Sequence, residues 1–373
     1  GGVTLFTDEK LVTNYAKQGV VMVTMSYRLG IFGVAALGDE NALPANLAVH
    51  GYCNFSFFLS KNVFETFWKA CEPPLFSRAI GMSTTMNLEG EEKQVNRSHL
   101  IAAKLGCSGT AKEIVKCMRP LSSDTILDAA SAAGGGEDMF SPLHLSGITL
   151  TGELMPIHNM MELRDNQMEH MSQLPVPTKL LLGTMLNEFS NDRLAASKAN
   201  DNINQVTDVL GVYNKDACVR KYFNDLKTGE YDPGYDTLSQ ALFMTTSLFA
   251  SSQANTGAEV YLYQLDYPEH AMHADDLYFI MGSQPRQLDE NEQWLSRIYP
   301  VYFTNFIRGL PLAPDWELLN PDLMNYYSIN KSFIERIVPH MELGYHRPIS
   351  DYYTNLVKFD ENISIMKSKV ISA

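Results

Sequence analysis

Positive charge is scarce in this 373-residue chain, where 29 Lys and Arg face 43 Asp and Glu for a formal net charge of −14. Nucleic-acid phosphates bind positive surfaces, so this balance argues against DNA or RNA as a partner. Long apolar runs are also lacking. None approaches the roughly 20 residues of a spanning helix, and we predict no membrane span. What is present, 45% hydrophobic and 19% charged residues, is typical of a globular protein.

Cysteine is sparse as well, with five residues in the whole chain. That number is too small for a disulfide scaffold, and the spacing matches no metal-ligand motif, so we predict neither a cofactor nor a resident metal. Cys107 and Cys117 bound a short segment that an oxidising compartment would allow to close as a disulfide loop. The sequence also begins without Met or a signal-peptide pattern, which predicts a processed or incomplete chain. Four N-x-Ser sequons, which favour secretion weakly, begin at Asn54, Asn96, Asn330 and Asn362.

Apolar, strand-like segments alternate with helical patterns along the chain. Residues 20–26, 179–184 and 260–264 read as buried strands because short apolar runs are bounded there by glycine or turn residues. Helical periodicity marks residues 91–105, 110–118, 287–308 and parts of 202–226. Strands separated by helices predict an α/β fold with a mostly parallel central sheet and helices on both faces.

The chemistry of such sheets lies on loops beyond the carboxyl ends of the strands. Glu188 follows the predicted strand 179–184, and His270 and His273 follow the predicted strand 260–264. An acid that precedes a histidine matches the chain order of α/β-hydrolase triads, in which the serine comes before both. Metal binding by four residues of the second loop is an alternative, although their spacing fits no closed site well. These four are His270, His273, Asp275 and Asp276.

Several motifs follow one another in order along residues 1–335. They read SYRLGIFG, GDENALPANLAVH, LFSRAIGMS, LGCSGTAKEIVKCMRP, TGELMPIHNMMELRD, LLLGTMLNEFSND, MHADDLYFIMG and LSRIYPVYFTNFIRGLPLAPDWELL. Their order and spacing resemble the type-B carboxylesterase and cholinesterase family. The resemblance implies a truncated α/β-hydrolase fold over a single, incomplete domain of residues 1–373. It also implies a secreted or secretory-pathway protein that acts on small-molecule carboxylic esters.

By the same resemblance, Glu188 is the triad acid and His273 the triad base. Ser83 corresponds to a buried serine that supports this pair from behind and is not the nucleophile. Cys107 and Cys117 correspond to one of the family's loop disulfides.

The segment between NLAVH and LFSRAI departs from the family pattern. Relatives carry a helix, a turn, a strand and the Gly-x-Ser-x-Gly nucleophile elbow there, whereas this chain has only residues 51–74. No Gly-x-Ser-x-Gly occurs anywhere in the sequence. The glycines of that motif let the serine occupy a strained strand-to-helix turn, so other residues do not replace them. The oxyanion-loop motif is also lacking, because Gly1 and Gly2 align downstream of it.

Three hypotheses follow from these residues. The first is a carboxylic ester hydrolase by family whose present chain is inactive for want of its serine. The second is a non-catalytic, cholinesterase-like protein that binds or adheres to partners, although such a protein has no need of both Glu188 and His273. The third is a metal-dependent hydrolase built on His270 and His273, which the resemblance disfavours.

Overall fold

The computed structural model describes residues 8–23, 28–45, 47, 77–83, 88–89, 91–135, 148–149, 179–189, 199–282 and 286–371. The strands in these residues are β1 (Arg78–Met82), β2 (Leu88–Glu89), β3 (Ile148–Thr149), β4 (Lys179–Met185), β5 (Glu259–Leu265), β6 (Tyr326–Ile329) and β7 (His340–Glu342). The α-helices are α1 (Asp8–Asn14), α2 (Ile31–Val34), α3 (Glu91–Lys104), α4 (Ala111–Met118), α5 (Ser123–Ala130), α6 (Ala199–Val209), α7 (Lys215–Thr228), α8 (Thr237–Asn255), α9 (Asp276–Met281), α10 (Glu290–Arg308) and α11 (Arg347–Ile371).

A five-stranded sheet in the order β1-β4-β5-β6-β7 organises the described residues. Its first four strands are parallel and β7 is antiparallel to β6. The strands predicted at 179–184 and 260–264 are β4 and β5, and they pair from Lys179↔Glu259 to Met185↔Leu265. Both predictions are therefore confirmed, and a two-stranded parallel sheet of β2 and β3 lies apart from the main one.

Apolar cores cover both faces of the main sheet. Successive side chains of a strand point to opposite faces. Leu181 and Tyr263 accordingly belong to one core, with residues of α10, whereas Leu180, Leu182 and Leu262 belong to another with residues of α8. The predicted α/β class, a mostly parallel sheet between helices, is therefore confirmed.

Helix boundaries follow local capping chemistry. The helix predicted to start at residue 287 starts at Glu290, because Asp289 and Glu292 form a capping box ahead of it. The Asp289 carboxylate accepts the Glu292 N–H at 2.8 Å, and the Glu292 carboxylate accepts the Asp289 N–H at 3.1 Å. Such reciprocal bonds satisfy N–H groups that have no partner inside the helix. The helices predicted at 91–105 and 110–118 are α3 and α4, within one residue at either end.

The strand predicted over residues 20–26 is wrong in its described part. Residues 20–23 belong to no strand, and residues 24–26 lie outside the described residues. The Val20 N–H is used in a turn, donating to the Tyr15 carbonyl at 3.0 Å, and Val21 is 87% exposed. A strand needs a hydrogen-bonded neighbour, and β1 has its described partner, β4, on one side only.

Cys107 and Cys117 form a disulfide with a Cα–Cα distance of 5.7 Å, which ties the end of α3 to α4. Cys218 is a free, buried thiol. Cys53, Cys71 and the aromatic residues of segment 51–74 lie outside the described residues. Every helix in the described part of the chain is too short or too polar to cross a membrane.

Candidate active site

Glu188 and His273 meet at the carboxyl edge of the sheet. Glu188 comes three residues after β4, and His273 lies on the loop that follows β5. Because β4 and β5 are parallel neighbours, the loops after them emerge at the same edge. The Nδ1 atom of His273 lies 2.7 Å from Oε2 of Glu188, which is hydrogen-bond distance.

Main-chain bonds hold both members of this pair. The second carboxylate oxygen of Glu188, Oε1, accepts the Met185 N–H at 2.8 Å. The His273 N–H donates to the Glu188 carbonyl at 2.8 Å, and the Asn187 N–H donates to the Ala271 carbonyl at 2.9 Å. The Glu188 side chain is fully buried. The loops after β4 and β5 are thus bonded to each other, and the carboxylate is fixed before any substrate arrives.

The imidazole of His273 is only partly covered. Its ring stacks on Phe189 with centroids 4.7 Å apart and an interplanar angle of 26°. Burial lowers the pKa of His273, but the hydrogen bond and the charge of Glu188, with a smaller effect from Asp276, outweigh it and raise the pKa above its ordinary value. Because Nδ1 is engaged by a carboxylate, Nε2 is the nitrogen free to take a proton.

Asp276 is a second buried carboxyl group beside this pair. It begins α9, three residues after His273, and the Tyr299 hydroxyl donates to it at 3.2 Å. Burial raises the pKa of Asp276 to about 7, and the negative charge of Glu188 adds to the rise. The sequence marked Asp276 only as a possible metal ligand. Its position on the apolar side of α9, with Phe279 and Ile280, is the signal that predicts burial.

Ser83 lies at the carboxyl end of β1, next to β4. Its N–H donates to the Gly183 carbonyl at 2.8 Å, and its backbone has a φ of 44°, in the left-handed region. The side chain is 9% exposed, and its hydroxyl has no hydrogen-bond partner among the described residues. Ser83 therefore makes no hydrogen bond to Glu188 or His273, and the supporting role that the resemblance implies stays a prediction.

The four residues considered as metal ligands point to separate partners. His270 Nδ1 lies 2.6 Å from Oε1 of Glu292, while His273 faces Glu188. Asp275 contacts Arg286 at 3.3 Å. Across the described residues, no group of three or more His, Cys, Asp or Glu side chains is placed to hold a metal ion. Within the described residues, these side chains are therefore directed to separate partners.

Comparison with known proteins relates the chain to carboxylesterases. The sequence pattern of the "Carboxylesterase family" matches residues 66–344. Carboxylesterase 1D of Rattus norvegicus is 24% identical, over 85% of this chain and 66% of the relative. Pyrethroid hydrolase Ces2a of Mus musculus is 23% identical, over 82% of this chain and 62% of the relative. The chain thus spans slightly less than two thirds of the length of these curated relatives.

Solved structures show the same fold. A PNB esterase superposes with a TM-score of 0.66 at 18% identity, covering 94% of this chain and 78% of that one. A thermophylic PNB esterase gives a TM-score of 0.64 at 17% identity. At these identities the likeness speaks for the α/β-hydrolase fold alone. The family pattern spans well over half of the residues, and on that ground the chain belongs to the carboxylesterase family.

Proposed function

We propose that this chain carries the acid and the base of a carboxylesterase, Glu188 and His273, but lacks the nucleophile they would serve. The observation behind the proposal is the 2.7 Å bond between the two side chains at the carboxyl edge of the sheet. In serine-esterase chemistry the acid orients the imidazole, and the imidazole takes the proton of the attacking serine. The buried Glu188 and the half-exposed His273 suit those two roles.

The chain has no serine in the sequence context that a carboxylesterase nucleophile requires. No Gly-x-Ser-x-Gly occurs in its sequence, and residues 51–74 leave little room for a strand, an elbow and a helix. Ser83 sits at the end of a neighbouring strand, but its side chain is buried. Without a covalent step, His273 can act only as a general base on water, and one oriented base contributes roughly 10²–10⁴-fold.

The substrate class proposed for the family reaction is small-molecule carboxylic esters. A pure binding or adhesion protein has no use for a histidine whose pKa a buried carboxylate raises, so retention of the pair favours an esterase ancestry over that alternative. We also propose that residues 1–373 form one incomplete domain that follows a secretory route. The Cys107–Cys117 disulfide supports an oxidising compartment, and two of the sequon asparagines, Asn96 and Asn362, lie exposed on helices.

Labelling with a fluorophosphonate probe tests the proposal, because the probe reacts with activated serines. We expect no stoichiometric label on the purified chain, and p-nitrophenyl acetate hydrolysis no faster than a single solvent-accessible histidine provides. His273→Ala should remove most of that residual hydrolysis, whereas the matched change His340→Ala, at an exposed histidine of β7, should leave it unchanged. Stoichiometric labelling that Ser83→Ala abolishes would identify Ser83 as a nucleophile and overturn the proposal.

A further inference from the structure

A polar cavity of about 420 Å³ opens where β5 and β6 end. Gln264 and Asp266 come from the end of β5, and Ser328 and Asn330 come from the end of β6. The remaining lining residues are Leu186, Tyr235, Tyr326, Ile337, His340, Glu342 and His346. Glu188, His273 and Ser83 are not among them, so the cavity is distinct from the candidate active site. Its volume falls in the range of small-molecule pockets, about 300–1,000 Å³.

Among the described residues, two carboxylates and no Lys or Arg line this cavity. Both oxygens of Asp266 are already oriented, since Oδ1 accepts from Gln264 Nε2 at 2.5 Å and Oδ2 accepts from Ser328 Oγ at 2.5 Å. A carboxylate offers about four lone-pair sites, so each oxygen keeps capacity for another donor. Among the described residues Asp266 has no ion-pair partner. Burial raises its pKa to about 6, and the hydrogen bonds from Ser328 and Gln264 offset only part of that rise.

The cavity lining also contains aromatic and neutral side chains. The His346 ring lies parallel to Phe243 at 3.6 Å and 7°, and its backbone is held at a left-handed φ of 41°. Burial lowers the pKa of His346 to about 3, so the ring carries no positive charge at neutral pH. Its Nε2 atom is buried without a hydrogen-bond partner in the described part of the chain. Because no solvent reaches that atom, His346 contributes its neutral ring to the lining and not this nitrogen.

The Glu342 side chain completes the acidic side. Oε2 of Glu342 accepts from the Tyr326 hydroxyl at 2.8 Å, and Oε1 lies 3.1 Å from His340 Nε2. The rings of Tyr235 and Tyr326 line the same space. Electron-rich ring faces attract cations, so these tyrosines add to the preference set by the two acids.

We propose that this cavity binds the primary ammonium group of a small organic cation. An ammonium group presents three N–H donors, which match the free lone pairs of Asp266 and the carboxylate of Glu342. The organic part of the ligand would lie against the tyrosine rings. A metal ion is disfavoured as occupant because no three ligating side chains converge among the described residues, here or elsewhere. The inference does not rest on the esterase chemistry, because the two sites share no residue.

Binding of butylammonium tests the proposal, with 1-butanol and butyrate as neutral and anionic probes of similar size. Saturation-transfer NMR on the full chain should show saturable binding of butylammonium and none of the other two. Asp266→Asn should weaken binding at least ten-fold, because the amide keeps the shape but loses the charge. Glu335→Gln removes one exposed charge from the loop between β6 and β7, outside the cavity, and should change the affinity less than two-fold.

Equal weakening by the two variants would mean general surface attraction and would overturn the proposal, as would the absence of saturable binding. If Asp266→Asn fails to fold, the pH dependence of butylammonium binding to the wild-type chain still tests the proposal. Binding must rise between pH 5 and pH 7 as Asp266 ionises, and the same rise is expected in His340→Gln, which removes a titratable neighbour. The polar groups near Asp266 are Gln264, Ser328, Tyr235, Tyr326, Tyr345, His340, Glu342 and the neutral His346. An affinity independent of pH over that range would exclude Asp266 as the binding group.

Discussion

Two histidines lie three residues apart on the loop after β5, and each faces a glutamate from another part of the chain. His273 Nδ1 lies 2.7 Å from Glu188, with side chains 39% and 0% exposed, and His270 Nδ1 lies 2.6 Å from Glu292, with side chains 38% and 2% exposed. By distance and burial the two pairs can hardly be told apart. Only the His273 contact, however, has the angles of a hydrogen bond, since His270 Nδ1 and the Glu292 oxygen it faces have no hydrogen-bond partner among the described residues.

The other partners of each glutamate explain why only the His273 contact is a hydrogen bond. Oε1 of Glu188 accepts only the neutral Met185 N–H, so the charge of Glu188 acts on His273. Oε1 of Glu292 lies 3.2 Å from Arg286, and Oε2 caps α10. The first glutamate polarises a histidine, while the second compensates an arginine and starts a helix. A short His–carboxylate distance is therefore weak evidence for a catalytic base until the remaining partners of the carboxylate are known.

The largest effect on stability should come from replacing Glu292 with alanine. Glu292→Ala leaves Arg286 with Asp275 as its carboxylate partner among the described residues and removes half of the capping box, so we expect a loss of about 2–4 kcal/mol in the free energy of unfolding. Glu188→Ala removes two side-chain hydrogen bonds and the negative charge beside the first histidine, and should cost about 1–3 kcal/mol. Urea unfolding of both variants measures the difference. Glu290→Ala, at an exposed glutamate in the first turn of α10, is the control and should lie within about 0.5 kcal/mol of wild type. A costlier Glu188→Ala would reverse the assignment of the two roles.

Asp276 should make the stability of the chain depend on pH, because it lies against the first pair and not the second. Its folded pKa of about 7 is above the ordinary value of 3.8, so the folded state binds the extra proton between these values. Stability should therefore fall as pH rises from 4 to 7, by up to ~1.4 kcal/mol per pH unit from this group. Asp276→Asn should flatten that slope while keeping an oxygen acceptor for Tyr299. Unfolding midpoints at pH 5 and pH 7 give the test, and equal slopes in both proteins would contradict it.

His273 should titrate above the ordinary histidine value of 6.5, because Glu188 outweighs burial. In Glu188→Gln the charge is gone and burial remains, so the pKa of His273 should fall below that value. A raised folded pKa stabilises the protein fully below pH 6.5, and this contribution disappears as pH rises through the folded pKa. The stability advantage of wild type over Glu188→Gln should therefore shrink above pH 6.5. NMR titration of the imidazole protons measures the pKa directly, with Glu292→Gln as the matched change that should leave His273 unmoved.

The sequence predicted those strands and site residues that have a local pattern or a fixed place in the family's motif order. Apolar runs bounded by turns identified β4 and β5, and strand-end position brought out Glu188 and His273. It failed for residues 20–23, because β propensity cannot supply the hydrogen-bonded neighbour that a strand requires. The acidic cavity could not be predicted from the sequence either. Asp266 and His346 are 80 residues apart along the chain, and only the pairing of β5 with β6 and of β6 with β7 places them around one space.

The smallest effect on stability should come from replacing Phe189, whose ring stacks on His273. Phe189 stacks on the imidazole at 4.7 Å, and the described residues show no such ring contact for His270, so the stack belongs to the first pair only. Phe189→Leu keeps an apolar side chain but loses the stacking, and we expect a stability loss of about 0.5–1.5 kcal/mol. It should also raise the pKa of His273 further, because less burial weakens the effect that opposes Glu188. NMR titration of this variant beside wild type is the measurement, and the His270 titration in the same spectra is the internal control. If the pKa of His273 falls instead, the ring supports the charged imidazole and does not merely shield it from water.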